Sequence, residues 1–294
     1  MDDFIEAFLA RLAGRTRQNH MYTLRRLAAW LDARGRSIVA AGRQDVEEWV
    51  AARRSGGASG CTVCSDLGHI GGYYRWLVET GIRGDDPVAL VRRPRRERSD
   101  RPWLGRADVA RLLDASASWS GGELAAHVHL WALSGLRPGE PRLLRVGDVS
   151  AHDGATTVRV TASKTPGRET VVIPDSTARL LAESAGARLQ GPLLLNPRTG
   201  RAWTKAAERA RFQRLIAEAG LPRITPYGLR VSFITLALSA GIPERSVSIA
   251  ARHATTAQTS RYDRLRAQVA EPVAPRLEEW LHSVQETALT EGAP

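Results

Sequence analysis

Lysine and cysteine are almost missing from this 294-residue chain, which contains two of each. The lysines are Lys164 and Lys205, so 40 of the 42 basic residues are arginine. An arginine-rich proteome explains the choice of arginine over lysine, but not the shortage of acid. Only 31 residues are Asp or Glu, the formal net charge is +11 and the sequence pI is about 10.7. That surplus points to a polyanionic partner, with nucleic acid ahead of a membrane surface. The scarcity of lysine makes each retained one notable, because a lysine can donate a proton at accessible pH and arginine effectively cannot. Cys61 and Cys64 form a single CxxC. A structural zinc needs two further ligands and a redox motif follows a strand, so the expectation is a reduced pair without function. No apolar run reaches the roughly 20 residues of a membrane span, and the acidic start MDDFIEAF does not read as a signal peptide. A cytoplasmic, nucleoid-associated protein with no membrane partner is expected.

With 43% hydrophobic residues the chain can bury two cores, and two domains are expected. Residues 1–97 read as helical. DFIEAFLARLAG is followed by TRQNHMYTLRRLAAWLDARG, in which Tyr22, Leu24, Leu27, Ala28 and Leu31 recur at helical spacing. A third helix begins near Gln44 and a fourth follows the SGGASG break. Tyr73, Tyr74 and Trp76 lie in the fourth helix's pattern and read as core rather than as a platform for stacked bases. VRRPRRERSDRPW, residues 91–103, contains six arginines and two prolines and reads as extended. It places a basic linker at 98–103, ahead of a second domain at 104–294. Arg92, Arg93, Arg95 and Arg96 are candidate phosphate contacts along this strap.

The second half carries the chemistry-bearing residues. SGLRPGEPRLLRVGDV, residues 134–149, brackets Arg137 between Gly135 and Gly139, with Glu140 in reach to orient the guanidinium. A helix starting near Pro138 would offer its N-terminus to a phosphate. TTVRVTASKTPGRETVVIP, residues 156–174, alternates like a β-hairpin and carries Lys164 at its turn. ITPYGLRVSFITLALSAGIP, residues 224–243, is a helix with Thr225 as N-cap, Pro226 in the first position and Gly241 and Pro243 at its end. Tyr227 and Arg230 share one face of it, with Leu229, Phe233 and Leu236 turned to the core. A further helix from about Pro243 leads to His253, and nine positions later comes Tyr262. A tyrosine hydroxyl becomes a nucleophile only where cations stabilise the phenolate and the phosphate it attacks. Near the end, Leu277, Trp280, Leu281 and Val284 make one apolar stripe on a final helix.

In this order, SGLRPGE, SKTPGRETVVIP, TPYGLRVSFIT and ARHATTAQTSRYDR resemble the motifs of the tyrosine recombinases, or phage-type integrases. The resemblance implies a mainly α fold with a small antiparallel β-sheet (α+β), built from a helical core-binding domain and a catalytic domain. It implies that Arg137 and Arg230 bind the scissile phosphate, supported by Glu140. Lys164 would protonate the leaving 5′ oxygen, Tyr227 and His253 would complete the pocket, and Tyr262 would form a 3′-phosphotyrosine. No cofactor and no metal are implied. The partner would be duplex DNA bound by a homotetramer, with a second recombinase or an accessory factor as a further possible partner. Two positions depart from the family's pattern: Tyr227 stands where histidine is usual, and Arg252 where glycine usually precedes the histidine. A type IB-like topoisomerase shares the chemistry, and a DNA-binding accessory protein with a degenerate site fits Tyr227. A helical transcription factor would leave the ordered Arg, Lys, Arg, His and Tyr positions unexplained.

Overall fold

The computed structural model describes residues 3–95, 102–152, 154–160 and 170–253. It divides into two compact units, Met1–Asp100 and Arg101–Pro294.

The first unit is a four-helix bundle: α1 (Asp3–Ala10), α2 (Gly14–Asp32), α3 (Arg43–Ser55) and α4 (Gly60–Glu79). Ser59 caps α4 by accepting from the Thr62 amide, and the Asp45 carboxylate accepts from the Gly42 amide at the start of α3. Leu24, Leu27 and Leu31 form the buried stripe of α2, opposite Trp49, Leu67, Tyr73, Tyr74 and Leu77. Each large side chain buried in this way contributes about 1.5 to 3 kcal/mol. Tyr73, Tyr74 and Trp76 are core, as the helical pattern suggests. Tyr22 is not part of the stripe: it is 63% exposed, one step round α2 from the buried Thr23 and Leu24. Cys61 is exposed, whereas Cys64 is buried with its thiol 3.2 Å from the Pro94 carbonyl oxygen.

The second unit is mostly helical around a small sheet. In order it has α5 (Arg106–Ser118), α6 (Ala125–Ala132), β1 (Val149–His152), β2 (Ala155–Arg159), β3 (Thr170–Ile173), α7 (Asp175–Ala185), β4 (Leu195–Asn196), β5 (Arg201–Ala202), α8 (Lys205–Glu218), α9 (Pro226–Ser239) and α10 (Glu244–Ala250). The hairpin read from the sequence is β2 paired antiparallel with β3, Val158 opposite Val171. β1 adds a third strand on β2, and β4 pairs with β5 in a separate ribbon. Both additions lay within segments too short and too polar to show a period. Trp131 of α6 and Phe212 of α8 meet edge to face, 5.4 Å between centroids, at the heart of the core.

Two local expectations need correction. No α-helix starts at Pro138; the chain makes a turn there, then a single 3-10 turn at Pro141–Leu143. The prolines withhold amide donors, and the Glu140 side chain is engaged elsewhere, so a helix N-terminus is not what meets a phosphate. In α9, Leu229 is buried, but Phe233 and Leu236 are only half-buried, because the helix is covered on several sides and also buries Val231, Ile234 and Leu238.

Candidate active site

Three chain segments converge, each shaped by its own sequence. The first leaves α6 through Gly135, whose φ of +60° lies in the left-handed region. A β-carbon there would stand 2.4 Å from Cδ1 of Phe233, so only glycine lets this turn close against α9. The turn then folds on itself. The Arg137 amide donates to Oε2 of Glu140 at 2.6 Å, the Glu140 amide donates to the Arg137 carbonyl at 2.9 Å, and Nη1 of Arg137 reaches Oε1 of Glu140 at 3.2 Å. Glu140 is buried, 5% exposed, so its charge depends on these partners.

The second segment is the start of α9. The Thr225 hydroxyl accepts from the Gly228 amide at 3.3 Å and Pro226 takes the first helical position, as the sequence indicates. Arg230 follows one turn in and is buried, 3% exposed. Its Nη1 donates to the Gly135 carbonyl and its Nη2 to the Ala251 carbonyl. Tyr227 is half-buried and lines an open cleft of about 350 Å³ with Pro102, Thr225 and Gly228.

The third segment is the end of α10. The Arg252 amide donates to the Ile249 carbonyl at 2.9 Å and the His253 amide to the Ser248 carbonyl at 3.0 Å, the paired bonds of a Schellman closure. That closure requires a left-handed residue after the helix, and Arg252 supplies it with φ +54°. Nη2 of Arg137 donates to the Arg252 carbonyl at 3.0 Å. The carbonyls of residues 251 and 252 are thus each held by one of the two guanidiniums.

Electrostatics follow from this crowding. Burial, then Arg137 and Arg252, lowers Arg230 to about 10, which still leaves it charged at neutral pH. Burial, followed by Arg230 and Arg137, lowers His253 to about 4, so its imidazole is neutral and can accept a proton or a hydrogen bond. Guanidiniums tied to carbonyls retain N–H donors for a further anion, since each has five.

Of the residues singled out in the sequence, the fold therefore brings Arg137, Glu140, Arg230 and His253 together. Tyr227 stands three residues before Arg230 on the same helix. Lys164, Tyr262, Arg96 and the stripe at 275–288 lie outside the described residues. Arg92, Arg93 and Arg95 belong to the first unit; Arg92 and Arg95 are exposed, and Nη1 of Arg93 is bonded to the Cys64 carbonyl at 3.1 Å. Arg252 was marked in the sequence only as a departure. Its guanidinium is 1% exposed and its Nη2 donates to Oε2 of Glu140. The available signal was a bulky charged residue where a helix end calls for glycine. Among the described residues no cluster of three or more metal-ligating side chains occurs, and no helix is long and apolar enough to cross a membrane.

The sequence model of the phage integrase family matches residues 102–268, more than half of the chain. The chain belongs to that family, the tyrosine-type site-specific DNA recombinases. The model of the phage integrase N-terminal SAM-like domain matches residues 3–81. Among curated relatives of this recombinase, tyrosine recombinase XerC of Mycobacterium bovis (strain BCG / Pasteur 1173P2) is 30% identical, over 94% of this chain and 98% of its own length. XerC of Rhodospirillum centenum is also 30% identical, over 73% of this chain and 65% of its own. In fold, the recombinase resembles the Tn1549 transposon integrase in complex with transposon right end DNA, with TM-score 0.71, 17% identity and coverage of 90% of this chain and 98% of the other. A lambda integrase tetramer bound to a Holliday junction gives TM-score 0.70 at 16% identity, covering 89% of this chain and 75% of the other.

Proposed function

We propose that this recombinase cuts and rejoins duplex DNA through a 3′-phosphotyrosine at Tyr262. The supporting observation is the convergence of Arg137 and Arg230 on the turn that ends in His253. The two guanidiniums are charged, partly buried and oriented before any DNA arrives, which is what stabilising a phosphorane requires. In the proposed step the Tyr262 oxygen bonds to phosphorus while the bond to the 5′ oxygen breaks. The phenol proton passes to a base, the role proposed for His253, whose imidazole is neutral in the site, and Lys164 donates a proton to the departing 5′ oxygen. Reversal by the 5′ hydroxyl of another strand completes exchange. Integration or excision of a mobile element and assembly as a homotetramer belong to the same proposal. The apolar stripe at residues 275–288 supports the tetramer, because it suits docking on a neighbouring copy.

Covalent trapping tests the reading. A pool of nicked duplexes of randomised sequence is incubated with wild-type protein and with Tyr262→Phe, and protein-linked DNA is isolated. The expected result is an adduct with wild type and none with Tyr262→Phe, at equal duplex affinity; an adduct that persists in the variant refutes the nucleophile. The native mass of the trapped complex reports whether four copies assemble. Tyr227 favours one second reading, a DNA-binding accessory protein with a degenerate site. Tight duplex binding, no adduct from wild type and an adduct from Tyr227→His would establish that reading instead.

A further inference from the structure

Arg252 occupies a place that should repel it. It is a side-chain-bearing residue in the left-handed region, which glycine enters without penalty, and its guanidinium is taken almost wholly out of water. Among the described residues its Nε and Nη1 have no hydrogen-bond partner, and the side chain is anchored through Nη2 on Glu140. A residue kept only to close α10 would be better served by glycine. Backbone strain and unmet donors held this close to a reaction centre point to a role in the reaction.

We propose that Arg252 is a positioning residue that raises the positive charge around the scissile phosphate by drawing on Glu140; this rests on the strand-cleavage reading above. Oε1 of Glu140 pairs with Arg137, while Oε2 accepts from both the Arg137 amide and the Arg252 guanidinium. Arg137 and Arg252 pair with this one carboxylate and Arg230 lies within its electrostatic reach, so the three guanidiniums leave an excess of two positive charges. Without Arg252 the excess would be one. A phosphodiester carries one negative charge, and attack by the tyrosine oxygen, once its proton has left, brings the phosphorane to two. Arg252 therefore matches the site to the transition state more than to bound DNA, and its removal should slow the chemical step while leaving duplex binding intact. The same Glu140 bridge ties the Arg137 turn to the His253 turn, so the position of Arg137 depends on it as well.

The test compares wild type, Arg252→Gly and Arg252→Lys on one trapped duplex, reading the single-turnover cleavage rate at saturating protein, the Kd for that duplex in a Tyr262→Phe background, and thermal unfolding. Glycine suits the left-handed position, so Arg252→Gly should fold; its cleavage rate should fall roughly ten- to a hundredfold, with Kd changed less than about threefold. Arg252→Lys retains the charge and should recover most of the rate. An unchanged rate in Arg252→Gly overturns the proposal and leaves the recombinase reading intact. Rate and affinity falling together, or a lysine variant as slow as the glycine one, also overturns it by showing that the residue serves only structure. No Tyr262-dependent adduct from wild type overturns the cleavage reading, and the proposal falls with it.

Discussion

At Gly135 one hydrogen atom decides whether the arginine turn can form. Its φ of +60° and the Phe233 ring 2.4 Å from a would-be β-carbon are independent obstacles to any side chain. Gly135→Ala should therefore cost about 2 to 4 kcal/mol, read by chemical denaturation, and should slow cleavage because the Gly135 carbonyl is an acceptor of Arg230. Adding Phe233→Leu should recover the part due to the clash but not the part due to φ. The need for glycine was legible in SGLRPGE; the ring that enforces it was not, since Phe233 is distant in sequence and reads there as ordinary core. Arg230 illustrates the same limit. Its place on the Tyr227 face was readable from helical spacing, but its burial, and the carbonyls that compensate it, depend on Gly135, far earlier in the chain, and on Ala251, about twenty residues further on.

Among the elements, α6 carries a burden that its apolar sequence does not announce. Its His127 is wholly buried between Trp131 and Trp203, at 5.6 and 5.5 Å between ring centroids, with neither ring nitrogen hydrogen-bonded among the described residues. Burial, then Arg142, lowers it to about 3. The unfolded chain takes up this proton near pH 6.5 and the folded chain near 3, so the unfolded state binds more protons in between and stability drains away as pH falls through that window. Glu208 of α8, 3.6 Å from His127, acts in the opposite sense: burial raises it to about 7 despite Arg142, so between 4.5 and 7 it favours the folded state as pH falls. His127→Phe keeps the aromatic packing and removes one side of this opposition. Its urea midpoint should fall less than that of wild type between pH 6.5 and 4.5. The helices themselves were the most readable part of the chain, because α2 carries an apolar stripe and α4 and α9 start at capping residues, Ser59 and Thr225. β1, β4 and β5 were not, since strands of two to four residues are defined by their partners rather than by their own pattern.

For the whole molecule, the net charge of +11 makes salt the natural variable. Each phosphate neutralised contributes about −0.9 to the slope of log K against log salt on duplex DNA. Arg92, Arg93 and Arg95 are all exposed, and Arg93 in addition has the Cys64 carbonyl as an acceptor. Replacing Arg92 and Arg95 together by serine should flatten the slope by about 2 and weaken all sequences alike, with the cleavage rate at saturation unchanged. A loss confined to one sequence would mean that they read bases. The sequence alone could assign the strap its charge but not that Arg93 is held by the Cys64 carbonyl, because that depends on the start of α4 folding against it.

The turn that closes α10 has a consequence in another observable. Its two amide protons, on Arg252 and His253, are bonded to the carbonyls of Ile249 and Ser248, while the carbonyls of residues 251 and 252 are the ones that Arg230 and Arg137 grip. Opening that single turn takes one acceptor from each guanidinium at the same moment, so the fully assembled site exists only as often as these two amides are protected from exchange with deuterated solvent. Their exchange rate is a gauge of readiness that can be read with no DNA present.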